Sequence, residues 1–144
     1  MAMPQEKKAG RNVTGELALK TERRTQLLDV TAAVGQMVRD SGVNSGVCHL
    51  YVPHTTAGIA VNEAADPDVA RDIESAFDRL VARDAGYRHA EGNSDSHVKS
   101  ALSGASATIF IASGRLELGP WQGIFFCEFD GPRERHLRIR IVSD

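Results

Sequence analysis

The stretch His136-Leu137-Arg138-Ile139-Arg140-Ile141-Val142 (HLRIRIV) alternates between polar and apolar side chains. Successive side chains of a strand point to opposite faces, so this period of two predicts a half-buried strand. Its leucine and isoleucines face inward, and Arg138 and Arg140 face outward. The stretch that begins at Val13 has the same period, with Leu17 and Leu19 on one face. Both segments are therefore predicted to be half-buried strands.

Between these two strands the sequence predicts further strands and three helices. Branched and aromatic apolar residues form the predicted strands 47–53, 57–61, 107–112 and 124–129. A helix is predicted after a cap at Asp29 or Thr31, with Gly42 as its stop. Asp66-Pro67 begins a second helix, and Asp95 is predicted to cap a short third one. This order predicts an α+β fold, a largely antiparallel sheet or sandwich with helices packed to one side.

Composition predicts a single globular domain over residues 13–144, in the cytoplasm, after a disordered polar tail over residues 1–12. The formal net charge is −2 and the pI is about 6.2, so we expect no nucleic acid as partner. No apolar run reaches the roughly 20 residues that cross a bilayer, so we expect no membrane contact. Cys48 and Cys127 lie in apolar strands, which indicates buried thiols rather than a disulfide.

A histidine and carboxylate cluster is the strongest functional signal. The loop from His89 to His97, with sequence HAEGNSDSH, carries two imidazoles and two carboxylates, and its glycine and asparagine let it curl around an ion. The predicted sheet brings His54 alongside. Imidazoles are common ligands of divalent transition metals, so the set predicts a metal or catalytic site. The alternative is a polar loop hydrogen-bonded to backbone, and the spacing matches no specific zinc motif.

Four other residues are candidates for substrate chemistry, each with a structural alternative. Glu63 is a candidate general base or ligand, or it stabilises the positive end of the second helix. Arg133 follows a Gly-Pro bend and suits phosphate or carboxylate, or it belongs to a solvated hairpin. Trp121 stacks on a substrate ring, or it packs within its turn. Lys99 is a candidate phosphate contact, although on a helix it faces away from His97.

Three separated blocks resemble one known family: HTTAGIAVNEAADPDV (54–69), HAEGNSDSHVKSALSG (89–104) and LGPWQGIFFCEFDGPRER (118–135). They resemble the YjbQ family, often described as secondary thiamine-phosphate synthases, over residues 13–142. The resemblance implies an α+β subunit that assembles as a homotrimer, with His54, His89 and His97 as metal ligands. The remaining expected site residues are Glu63, Asp95 and Arg133 in catalysis, and Asn62, Trp121, Gln122 and Lys99 in substrate binding.

The function that the resemblance implies is a metal-binding enzyme that joins a pyrimidine diphosphate to a thiazole phosphate. A small phosphorylated substrate is the expected partner. Three histidines favour a zinc-like ion, whereas the synthase reaction needs magnesium on the leaving pyrophosphate. Two alternatives stay open: a metal-dependent hydrolase of a small phosphate ester, and a trimeric metal-binding protein without enzymatic activity.

Overall fold

The structure is a computed structural model that describes residues 12–144. The predicted tail over residues 1–12 lies outside the described residues except for Asn12, which begins the first strand. The elements follow the chain in this order: β1 (Asn12–Lys20), β2 (Gln26–Asp29), α1 (Thr31–Ser41), β3 (Gly46–Tyr51), β4 (Ala57–Glu63), α2 (Pro67–Leu80), α3 (Ser94–Ser103), β5 (Ser106–Ala112), β6 (Arg115–Leu116), β7 (Gln122–Glu128) and β8 (Glu134–Ser143).

The strands form two antiparallel sheets, one with the order β1-β8-β3-β5-β6 and one with the order β2-β7-β4. In β8 the alternation is as predicted: its leucine and isoleucines are buried, and Arg138 and Arg140 are exposed. Helices α2 and α3 contact the three-stranded sheet, and none of the helices in residues 12–144 covers the outward face of the five-stranded sheet. The predicted α+β fold is confirmed.

The main core lies between the two sheets, and α1 contributes to it through Val34 and Val38. Strand β7 is buried on both of its faces, which explains why its sequence is an almost continuous apolar run. Phe126 faces this main core, whereas Phe125 and the neighbouring Phe129 face a second cluster under α2. This second cluster attaches α2 to the sheet.

The predicted cap of α1 at Asp29 or Thr31 is wrong, because Val30 is the residue that precedes the helix, whereas the predicted start of α2 at Asp66-Pro67 is confirmed. Asp29 Oδ1 accepts from the Thr31 amide at 2.9 Å, and Asp66 Oδ1 accepts from the Asp68 amide at 2.9 Å. Gly42 ends α1 in the left-handed region at φ 72°. The predicted cap of the third helix is wrong, because Asn93 precedes the helix and Asp95 lies inside its first turn. Among residues 12–144 no helix is long and apolar enough to span a membrane.

Helix α3 is attached to β4 through its serines. Ser100 Oγ donates to the Ala57 carbonyl at 2.6 Å, and the Ile59 amide donates to the Gly104 carbonyl at 3.1 Å. Gly58 makes this approach possible, since a Cβ there would lie 2.6 Å from Ser103 Oγ and 2.7 Å from the Gly104 carbonyl oxygen. The start of α3 is thereby placed beside the loop that connects β7 to β8.

Candidate functional site

A buried ion pair between Glu128 and Arg135 connects the end of β7 to the start of β8. The two side chains are 0% and 5% exposed, and Arg135 Nε donates to Glu128 Oε2 at 2.8 Å. Thr21 Oγ1 donates to the same carboxylate oxygen at 2.8 Å, and Arg135 Nη2 donates to Thr56 Oγ1 at 2.8 Å. Because both charges are hydrogen-bonded, the pair is stable away from water. It fixes the chain segments around the candidate site.

A second charged cluster begins at Asp95, which is 1% exposed in the first turn of α3. Arg24 Nη2 donates to Asp95 Oδ1 at 3.0 Å. Lys99 follows one helical turn later, and its Nζ lies 3.4 Å from Asp95 Oδ2. Lys99 is itself 2% exposed and donates to Asp78 Oδ1 on α2 at 2.7 Å. Two carboxylates from different helices therefore compensate one buried ammonium.

Asp78 stays ionised at neutral pH in this cluster. Burial by itself raises the pKa of Asp78, but hydrogen bonds from Lys99 and Thr25 outweigh it, and the pKa lies below its ordinary value. The charges of Lys99 and Arg24 lower the pKa of this carboxyl further. Asp78 therefore meets Lys99 as a carboxylate at physiological pH.

The cluster borders a cavity of about 340 Å³, which we call the lysine pocket. Three cationic side chains and two carboxylates line it, so its net charge is positive. Both predicted residues Asp95 and Lys99 belong to it. The full lining consists of Arg24, Thr25, Asp78, Val81, Arg83, Asp95 and Lys99.

Asp130 joins the predicted Arg133 to the edge of this cluster. Arg133 Nε donates to the Asp130 carbonyl at 2.8 Å, and Arg133 Nη2 donates to Asp130 Oδ2 at 3.1 Å. Asn93 Nδ2 donates to the same Oδ2 at 2.9 Å, and Arg24 Nη1 lies 3.4 Å from Oδ1. The Arg133 side chain is 53% exposed and lies outside the pocket lining. Its hydrogen bonds hold it against its own loop.

The three predicted metal ligands do not form one cluster. His54 Nε2 accepts from the His136 amide at 2.9 Å, which assigns the proton of the neutral ring to Nδ1. Burial, followed by the charge of Arg135, lowers the pKa of His54. His89 and His97 do meet, with ring centroids 5.5 Å apart. Among residues 12–144 no group of three or more histidine, cysteine or acidic side chains could hold a metal ion.

A further group of predicted residues lies at the opposite end of β4 and β7. Glu63 pairs with Gln122, and Asn62 precedes Glu63 on β4. The adjacent turn carries Trp121, which is 68% exposed and whose carbonyl accepts from the Ala64 amide at 2.8 Å. Strand β4 rises by about 3.3 Å per residue, so this end lies roughly 20 Å from the end where Ala57 pairs with Glu128. The predicted site residues thus divide into two separate groups.

Arg24 and Asp78 were missed by sequence reasoning, although both line the lysine pocket. Arg24 stands in a short polar break after β1, and Asp78 is one of several acids on the outer side of α2. Neither residue belongs to a motif. The one available signal was Lys99, because a lysine four residues after Asp95 on a helix lies on the same face.

The fold and the pocket of the described residues define a class of protein: a two-sheet α+β protein with a buried lysine beside an open polar pocket. The sequence model of a family described as UPF0047 protein YjbQ-like matches residues 15–144. The chain belongs to this family, and the predicted resemblance is confirmed.

Relatives and solved structures agree with the family. A UPF0047 protein of Methanocaldococcus jannaschii is 48% identical over 126 residues, which cover 88% of this chain and 91% of the relative. The UPF0047 protein YugU of Bacillus subtilis is 46% identical over 128 residues, which cover 88% of this chain and 97% of the relative. A YbjQ-like protein of unknown function from Sulfolobus solfataricus P2 has a TM-score of 0.90 at 30% identity, covering 94% of this chain and 99% of that chain.

These comparisons correct the predicted function. The relatives are described by family alone, and the Sulfolobus protein is described as of unknown function. The prediction of a metal-binding thiamine-phosphate synthase, with its alternatives of a phosphate-ester hydrolase and a trimeric metal-binding protein, is therefore wrong: the matched proteins support family membership and nothing finer. The zinc-like or magnesium cofactor, the small phosphorylated partner and the homotrimer stay predictions.

Proposed function

We propose that the protein binds a small phosphorylated molecule in the lysine pocket. The observation that carries this proposal is Lys99, an ammonium that is 2% exposed and nevertheless borders an open cavity. A lysine is rarely buried to this extent unless it is paired, and here its pairing leaves one side turned to the cavity. A phosphate group supplies oxygen acceptors for the N–H donor of Lys99 that faces the cavity.

The donors of the pocket support an anionic ligand. The Lys99 ammonium has three N–H donors, of which two are directed at Asp78 and Asp95. The third is available to a ligand. Arg24 uses one guanidinium nitrogen for Asp95 and another for Asp130, and its fork retains further N–H donors for an oxyanion. Arg83 adds an exposed cation at the same cavity.

The size of the pocket limits the ligand to a small molecule. Its volume of about 340 Å³ lies at the lower end of the range for ligand sites. Asp95 is held by Arg24 from within the protein, so it keeps its place when a ligand enters. Asp78 is more exposed, at 54% of its side chain, and it can turn away if a second phosphate oxygen takes its place on Lys99.

Binding is tested by isothermal titration with inorganic phosphate, pyrophosphate and glycerol 3-phosphate on the wild-type chain and three variants. Lys99→Met and Arg83→Gln each remove one cation of the pocket, and Arg79→Gln removes an exposed cation of α2 outside its lining. We expect both pocket variants to weaken binding by roughly tenfold or more, which is the weight of one charge-assisted hydrogen bond. Arg79→Gln should bind like the wild type.

Arg83→Gln keeps the test independent of folding, since Arg83 is exposed. The absence of binding to all three phosphates by a folded wild-type chain would refute the proposal. Equal losses in Arg83→Gln and Arg79→Gln would also refute it, because they would reduce binding to a general effect of charge.

We propose in addition that the chain assembles as a homotrimer. The support is the division of the expected site residues, since Trp121 and Glu63 lie roughly 20 Å from the other end of β4 and cannot reach one ligand together with residues there. A neighbouring copy can supply them. Sedimentation velocity gives the mass, and Trp121, the one tryptophan in the sequence, reports on contact at the turn. A monomeric mass at all concentrations would refute the homotrimer.

A further inference from the structure

On the outward face of the five-stranded sheet, arginines and aromatic rings recur in pairs. None of these residues lines the lysine pocket. In the register of β8 and β3, Arg138 lies opposite Tyr51, and Arg140 lies opposite His49. All four side chains are on the exposed face of their strands. Residues two apart on a strand are separated by about 6.7 Å, so the two rungs repeat at this distance.

The two arginines differ in how far the described part of the sheet compensates their charge. Glu16 is the acid beside them: its Oε1 lies 2.9 Å from His136 Nδ1, and its Oε2 lies 3.8 Å from Arg138 Nε, so Glu16 partly compensates Arg138. The neighbours of Arg140 in register are Thr14 on β1 and His49 on β3, and neither is an acid. Within residues 12–144 Arg140 has no ion-pair partner. Arg140 therefore presents N–H donors that no acid among residues 12–144 pairs with.

A groove of about 870 Å³ runs over this part of the sheet, which we call the sheet groove. Its walls include Arg138, Arg140, His49 and Tyr51. The Tyr51 ring is 53% exposed. On the next strand β5, Phe110 is 63% exposed and lies opposite Val47, one rung beyond His49. Three rings thus follow one another across the face.

We propose that the sheet groove binds single-stranded nucleic acid. Successive bases stack on Tyr51 and His49, and the phosphates between them contact Arg138 and Arg140. On this face a guanidinium group and a ring recur together at the spacing of residues two apart on a strand. This repeat fits a polymer in which each unit has one phosphate and one planar base. A duplex lacks this fit, because its base faces are stacked on one another.

The overall net charge of −2 predicted no nucleic-acid partner. The local arrangement departs from that expectation because the binding depends on one face and not on the sum over the chain. Few phosphates are contacted, so the complex forms at low salt and weakens as salt is added. The proposal is independent of the lysine pocket, which lies beyond the other sheet, under α2 and α3.

The test is fluorescence anisotropy with a labelled single-stranded oligouridylate, its DNA counterpart and a duplex of equal length. Tyr51→Ala should weaken single-strand binding by about tenfold, the typical weight of one stacked base, and Tyr51→Phe should restore it. Arg140→Gln should lower the slope of log K against log salt by about 0.7, the value for one phosphate of a single strand. Arg71→Gln, which removes an exposed cation of α2, should leave both quantities unchanged.

Three results would overturn the proposal. Equal affinity for the duplex would show that bases do not stack on Tyr51 and His49, because a duplex has no free base faces. Equal effects of Arg140→Gln and Arg71→Gln would show that binding depends on the overall charge of the protein and not on the sheet groove. If Tyr51→Ala dissociates an oligomer in sedimentation experiments while the wild type binds no oligonucleotide, the groove is covered by a second copy of the chain.

Discussion

Replacing Arg135 by methionine removes one half of the buried ion pair and leaves Glu128 without its charged partner. Glu128 is fully buried, and Arg135 supplies two of its hydrogen bonds while Thr21 Oγ1 and the Asp130 amide supply two others. The uncompensated carboxylate then has to be protonated or hydrated. Breaking a buried pair by removing one partner costs about 3–5 kcal/mol, which is a large part of the usual 5–15 kcal/mol stability of a domain. We expect the free energy of unfolding of Arg135→Met to be lower than that of the wild type by that amount.

Urea unfolding followed by far-ultraviolet circular dichroism measures the loss, and an unchanged m-value confirms that the two states keep their exposed surface. The double variant Glu128→Leu/Arg135→Met is the informative control. Because both charges are removed together, we expect it to recover most of the stability that Arg135→Met loses. If the double variant is as unstable as the sum of the two single variants, the ion pair acts through packing and the reasoning from uncompensated charge is wrong.

Three further predictions concern other parts of the fold. Gly58→Ala should lower the free energy of unfolding by about 1–3 kcal/mol, because the added Cβ would push α3 away from β4. An unchanged midpoint of urea unfolding would contradict this. The folded pKa of His54 lies below the unfolded value of about 6.5, so stability should fall as the pH drops from there through the folded pKa; His54→Gln should flatten that dependence. Burial raises the pKa of Cys48 to about 11 and of Cys127 to about 12, so neither should react with Ellman's reagent before unfolding.

The sequence predicted most of the regular structure because strong local signals agree with the fold. The alternation in β8 and the start signal at Asp66-Pro67 both hold in the structure. Strands β2 and β6 were missed because they have four and two residues, which is too short for a period to appear. The misplaced cap at Asp95 has a physical reason: this carboxylate pairs with Arg24 and not with the free amides of its helix.

The candidate site was harder to predict because its contacts join distant parts of the chain. Lys99 meets Asp78 only because α2 and α3 lie side by side on the three-stranded sheet. The predicted sheet was expected to bring His54 alongside His97, whereas in the structure His54 Nε2 accepts from the His136 amide at the start of β8. Side-chain identity shows which chemistry is available, and only the sheet register decides which groups meet.

The pairing of β1 with β8 has a consequence for biosynthesis. Leu17 pairs with Leu137, so the five-stranded sheet joins the first described strand to the last. On the ribosome, β1 emerges long before β8 exists, so β1 lacks its native partner strand until β8 has been synthesised. Closure of this sheet is therefore a late event, and it depends on contacts of the slow, long-range kind. Until then β1 is an unpaired strand, and unpaired strands are prone to aggregation.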